Sequence, residues 1–153
     1  MRLMVTRFNT KTWNEFLRYR DKKDIKGYIY GTPVRIKNNI PVDEILIVFE
    51  MHNDLNKVMG ISLVKNYLRM DKIFSIYSDN NYNRYVYYGK KRVDREAMTE
   101  QENKIMEIFD IILFKGYTHL KRGQGISLIP EKLYNKYKID DKTLTECLMK
   151  IFD

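Results

Sequence analysis

The run Glu44–Met51, EILIVFEM, constrains the fold of this chain more than any other stretch. It is dense in β-branched and aromatic residues and reads as a central strand. The polar residues His52–Asn56 offer a turn, and Val58–Val64, VMGISLV, reads as the returning strand. The two form an antiparallel hairpin in which Gly60 marks a bulge or a close approach. Any architecture for this chain has to be built around that pair.

Thr12 and Glu15 stand at capping-box spacing, and Trp13, Phe16 and Leu17 make an apolar stripe, so a short helix is predicted from Thr12 to about Arg20. Ile25–Tyr30 reads as a strand punctuated by Gly31 and Pro33. Val34 and Ile36 suggest a short strand or extended arm before the turn at Asn38 and Asn39. Tyr67–Tyr77 has no decisive periodicity. Ser78–Asn81 reads as a turn and Tyr82–Tyr88 as a strand ending at Gly89. Helical spacing takes over after Thr99, which pairs with Glu102 as a second capping box. Ile105, Ile108, Phe109, Ile112 and Leu113 form an apolar face ending near Gly116.

Tyr117–Gly125 follows as a polar loop, then Ile126–Ile129 as a short strand, and Pro130 opens a small helix. Asp140 caps a last helix whose Leu144, Cys147, Leu148 and Ile151 are expected to face the core. The early strands lack crossover helices, so the pairing is expected to be mainly antiparallel. The expected whole is one α+β domain over residues 1–153, a compact curved sheet or small barrel with helices at both ends. A chain of this length buries a core without staples.

Its single cysteine excludes an internal disulfide and a four-cysteine zinc site, and a buried thiol suits a reducing compartment. The first residues lack the apolar stretch of a signal peptide, and no run approaches the roughly 18 apolar residues of a membrane span. A cytoplasmic protein without a membrane partner is expected, with the nucleus or a virion as alternatives.

Lys and Arg number 28 against 20 Asp and Glu, a net charge of +8, which favours encounter with polyanions. Richness in Lys, Asn, Ile and Tyr is also what AT-rich coding sequence produces without selection for binding. Two stretches focus the charge. In the first, Arg84, Tyr85, Tyr87, Lys90, Lys91 and Arg92 combine rings that stack on bases with cations that neutralise phosphates. Strand alternation sends Tyr85 and Tyr87 to one side. The plainer account makes one tyrosine set core and the basic turn solvated. In the second, Gly123 and Gly125 let backbone N–H groups converge beside Lys121 and Arg122, while His119 and Gln124 supply directed hydrogen bonds. The alternative there is a tight turn before a strand. Neither a Walker loop nor a dinucleotide-binding glycine pattern is present.

Catalysis is the main competitor. Glu50, His52 and Asp54 lie close together near a strand end, where acid–base groups can be held, although a polar turn explains them as simply. His52 and His119 lack the close spacing of a metal site, so no metal or cofactor is expected. Cys147 falls on an apolar helix side and is not read as a nucleophile. Asp94 and Glu96 beside Arg92 and Arg95 could form a hydrolytic patch, and local ion pairing is the plainer account. The leading expectation is a non-enzymatic nucleic-acid-binding module, RNA ahead of DNA. The alternatives are a structural or protein–protein interaction module of a virion or assembly, able to form a homo-oligomer, and, third, an enzyme that processes nucleic acid.

The order of a leading helix, a hydrophobic hairpin with Gly60 in its second strand, the Tyr/Arg-rich strand and closing helices resembles the PUA-like superfamily, nearest its EVE, ASCH and YTH-type modules. The resemblance spans about residues 25–130 in pattern. It implies a small curved or barrel-like sheet with a pocket that reads RNA or a modified base, and Gly60 matches a glycine beside that pocket. The aromatic cage of YTH domains has no counterpart, because Trp13 is the only tryptophan. The overall texture also resembles small proteins of large AT-rich DNA viruses.

Overall fold

The computed structural model describes residues 1–153. Leu3–Phe8, LMVTRF, forms strand β1 and leads into helix α1, Thr10–Lys22. After β2 (Tyr28–Thr32) the chain enters the hairpin of β3 (Ile45–His52) and β4 (Lys57–Lys65). Strands β5 (Tyr85–Gly89) and β6 (Arg92–Asp94) precede helix α2 (Glu100–Phe114). A two-residue strand β7 (Ser127–Leu128) and helices α3 (Glu131–Asn135) and α4 (Asp141–Ile151) complete the fold.

The molecule is α+β, with a five-stranded sheet in the order β6-β4-β3-β1-β7 and a separate ribbon of β2 and β5. The β3–β4, β4–β6, β1–β7 and β2–β5 pairings are antiparallel. The expectation that no early crossover exists is overturned. β1 runs parallel to β3, from Leu3 opposite Ile47 to Phe8 opposite His52, with α1 and β2 in the connection between them. The barrel expectation is also corrected: β6 and β7 are free edges, and the sheet does not close.

Both faces of the sheet are covered. Ile47, Phe49 and Met51 of β3, with Leu3 and Val5 of β1, pack against Met106, Phe109 and Leu113 of α2 and Leu144 and Leu148 of α4. The alternate residues Leu46 and Val48, with Met4 and Phe8, meet Trp13 and Phe16 of α1 and the rings of Tyr28, Tyr30 and Tyr87 from the ribbon. The period-two alternation of a strand therefore feeds two separate cores. No helix is long and apolar enough to cross a membrane.

The caps explain where the helices begin. α1 starts earlier than predicted because Asn9, not Thr12, is its N-cap. Asn9 Oδ1 accepts the Thr12 amide at 2.8 Å, and Thr12 Oγ1 accepts the Asn9 amide at 3.0 Å. That arrangement contributes roughly 1 kcal/mol and releases Glu15, whose carboxylate accepts the Ser78 amide instead. The Thr99–Glu102 box of α2 and the Asp140 cap of α4 stand as expected. Opposite Glu50 the hairpin register shifts at Gly60, so Met59 is the extra residue of a bulge. A Cβ on Gly60 would lie 2.8 Å from Glu50 Oε1 and 2.9 Å from Arg92 Nη2, so the position is a close approach as well.

The ribbon strand begins at Tyr28 rather than Ile25, and the Val34–Ile36 stretch forms no strand. Cys147 is exposed, not in the core: Leu144, Leu148 and Ile151 take the buried stripe of α4, which leaves the thiol on its flank.

Candidate functional site

Arg7 is a cation in an otherwise mostly apolar strand, and its side chain reaches the loop before β7. Nε donates to the Leu120 carbonyl at 2.5 Å, Nη2 to Ser127 Oγ at 2.9 Å, and Nη1 to the Gly125 carbonyl at 3.4 Å. All three acceptors are neutral. The chain's ion pairs involve Arg2, Lys26, Lys65, Arg69, Arg92 and Arg95, and Arg7 is in none of them. Burial without a carboxylate lowers its pKa to about 10.

Arg7 lies at a cleft of about 190 Å³. One wall comes from the end of β1 and the start of α1, with Thr6, Asn9 and Thr12. Gly31, Thr32 and Pro33 at the end of β2 form a second, and Tyr77 and Tyr82 a third. Asn53 and the loop residues Lys121, Gly123, Gln124 and Gly125 close it. No Asp or Glu lines this space.

The loop has the shape it does because two glycines permit it. Gly123 and Gly125 take φ of +111° and +73°. A Cβ at 125 would stand 2.7 Å from a methyl of Val34, and one at 123 would stand 3.2 Å from Arg7 Nη2. Asn53 ties the loop to the β3–β4 turn by donating from Nδ2 to the Lys121 carbonyl at 2.9 Å. Its Oδ1 is buried with no hydrogen-bond partner, an uncommon state for a polar atom.

Of the predicted residues, Lys121, Gly123, Gln124 and Gly125 line the cleft. Arg122 is exposed beside it, and His119 accepts the Lys121 amide at Nδ1, which shapes the turn. None of Arg84, Tyr85, Tyr87, Lys90, Lys91 or Arg92 borders this space, so the two basic stretches do not share it. Two of them are not surface groups at all. Tyr87 is 1% exposed, with its hydroxyl accepting the Ile36 amide at 3.0 Å. The ribbon lies over the sheet and buries Val86 and Tyr87 alike, so simple alternation does not hold along β5. The side chain of Arg92 is 3% exposed and grips Glu50 with two hydrogen bonds, of 2.8 and 2.7 Å.

Arg84 and Arg35 place their guanidinium groups over the ring of Tyr85, at 5.3 and 5.1 Å. Lys90 and Lys91 are exposed in the turn between β5 and β6.

The acid–base trio is engaged in structural contacts. Glu50 is enclosed with Arg92 and Tyr30, and His52 is buried with Nδ1 accepting the Leu55 amide. Asp54 Oδ2 accepts both the amide and the hydroxyl of Thr10 at 2.8 Å. Asp94 pairs with Arg92 and caps the turn at Glu96, but the rest of the expected local pairing does not form: Arg95 pairs with Asp110 of α2 and Glu96 with no cation. Sequence reasoning missed Arg7, Thr32, Asn53 and Tyr82 as cleft residues. For Arg7 a signal existed, because Thr6 and Arg7 interrupt an apolar run. No family model, curated protein or solved structure matches this chain.

Proposed function

We propose that this protein binds nucleic acid, RNA ahead of DNA, with one nucleotide seated in the cleft at the end of β1. The observation that carries the reading is Arg7, buried among neutral acceptors in a space that holds Lys121 and no carboxylate. Such a site favours an anion, since no carboxylate lines it, and Asp54, which feels the charge of Lys121, is itself held by Thr10. The volume is below the roughly 300–1,000 Å³ of drug-sized pockets and suits a single small unit. The half-buried ring of Tyr82 offers a stacking surface, while Asn53 Oδ1 and the Gln124 amide offer groups that read a base or sugar edge.

The PUA-like resemblance supports the same reading. Gly60, however, lies against Glu50 and Arg92, and the cleft glycines are Gly31, Gly123 and Gly125. Anisotropy titrations of labelled single-stranded RNA and DNA over about 50–200 mM salt test the proposal. Affinity should fall steeply with salt. Replacing Lys121 and Arg122 by alanine should reduce the log–log slope by about 0.7 for each phosphate that those two cations neutralise. A flat salt profile, or unchanged binding in that double variant, refutes it.

One observation favours a second reading, assembly through protein contacts. Tyr67, Met70 and Ile73 are exposed together on one connecting segment, Ile73 at 94%. Sedimentation of the wild type against Met70→Ser/Ile73→Ser distinguishes it, through loss of a defined oligomer.

A further inference from the structure

A second concavity lies beside the cleft. It is a groove of about 520 Å³ between α1 and the segment 73–78. Arg18, Lys22 and Lys23 line one side, with Tyr19 among them, and none of the three cations is in an ion pair. The one carboxylate in the lining, Glu15, already accepts the Ser78 amide at 2.8 Å.

Cations in the last turn of a helix also stabilise its C-terminal dipole. Here Arg20 is engaged beyond the end of α1, donating to the Gly27 and Lys26 carbonyls of the following turn at 3.0 and 3.1 Å. Arg18, Lys22 and Lys23 are left facing open space. Tyr77 lines both the cleft and the groove, so the two are neighbours.

Thr12 lines the cleft and Lys22 the groove, about 15 Å apart along the helix at ~1.5 Å per residue. That distance is about four steps of a stacked strand at ~3.4 Å per phosphate.

We infer that the groove along α1 is a track for the phosphate backbone of a single-stranded nucleic acid whose terminal or extruded nucleotide occupies the cleft, an inference that rests on the reading given under Proposed function. Each compartment presents a half-buried tyrosine, Tyr82 in the cleft and Tyr19 in the groove, beside its cations. A ring beside cations in each compartment suits a strand whose bases stack while its phosphates meet the positive charges.

The test compares labelled oligouridylates of two and ten nucleotides on the wild type, on Lys121→Ala, and on Arg18→Ala/Lys22→Ala/Lys23→Ala. All the substituted groups are surface cations outside ion pairs. The triple variant should bind the ten-mer on the order of tenfold more weakly and with a salt slope lower by about 2, while its affinity for the dinucleotide is unchanged. Lys121→Ala should weaken both probes. If the triple variant binds the ten-mer like the wild type while Lys121→Ala is impaired, the track is refuted and the cleft stands. Absence of wild-type binding to either probe removes both ideas. Displacement of the ten-mer by polyglutamate of equal charge, as effectively as by unlabelled RNA, overturns nucleic acid as the occupant.

Discussion

Glu50 has no exposed surface, and a carboxylate so enclosed is unfavourable by several kcal/mol unless it is paired and hydrogen-bonded. Arg92 provides the pairing through both oxygens, and the Tyr30 hydroxyl donates to Oε2 at 2.6 Å while lying 2.6 Å from Ser62 Oγ. Burial works against the Arg92 charge, yet the Glu50 carboxylate holds that guanidinium above its ordinary pKa. Burial, and then the charge of Glu50, push the Tyr30 phenol well above its usual range, so it remains a donor. Arg92→Ala strands the carboxylate and should destabilise the fold by about 3–5 kcal/mol in urea unfolding. Glu50→Leu/Arg92→Met removes both charges and should recover most of that stability. A double variant as unstable as Arg92→Ala would show that shape, not charge pairing, governs the site.

This cluster also explains why the sequence linked Glu50 to the wrong partners. His52 and Asp54 are its neighbours along the chain, but its cation stands 42 residues away, on β6, which the β4 pairing brings alongside. Arg7 is the converse case. Its oddity in an apolar run was visible, while its acceptors in the loop near residue 120 were not.

At the scale of elements, legibility followed local chemistry. α2 and α4 carry their own capping side chains and a clear apolar stripe, so both could be read from spacing. The β3–β4 hairpin was legible because its residues suit only a buried strand. β1 was not, because six residues interrupted by Thr6 and Arg7 show too little pattern, and its strand character comes from pairing with distant β3. That pairing needs α1 to cross over, and the start of α1 rests in part on Asp54. The Thr10 amide and hydroxyl hydrogen-bond the Asp54 carboxylate and lower its pKa. A group with a depressed folded pKa binds fewer protons folded than unfolded. Its stabilisation is therefore complete above the unfolded value near 3.9 and is lost as pH falls through the lower folded value. Asp140 at α4 behaves likewise through Thr143. Melting temperatures followed from about pH 6 downward should drop on the acid side. Asp54→Asn should flatten that drop and start from a lower value at neutral pH. An acid limb identical to wild type would mean that the contact with Thr10 contributes nothing.

Across the whole molecule, one sheet separates two kinds of surface. The face under α2, α3 and α4 holds a large apolar core with the buried Arg95–Asp110 pair at its margin, whereas α1, the ribbon and the loop before β7 carry the cleft and the basic groove. Cations outside ion pairs occur on both sides, Lys104, Lys132, Lys142 and Lys150 among them on the helices, but the cleft with its left-handed glycines and the basic groove lie with α1, the ribbon and the loop before β7. Such a division makes stability and binding separable by position. Leu148 of α4 is fully buried on the helical face, so Leu148→Ala removes packing and leaves a cavity costing about 2–5 kcal/mol. At a temperature where that variant is still folded, its affinity for single-stranded RNA should equal the wild type's, because no cleft or groove residue belongs to that core. Lys121→Ala should do the reverse, lowering affinity and its salt dependence while leaving stability within about 0.5 kcal/mol of the wild type's. Calorimetry and anisotropy on the same two proteins decide the matter. If folded Leu148→Ala binds more weakly, the two faces are coupled through the sheet, and the cleft's shape depends on the helices behind it.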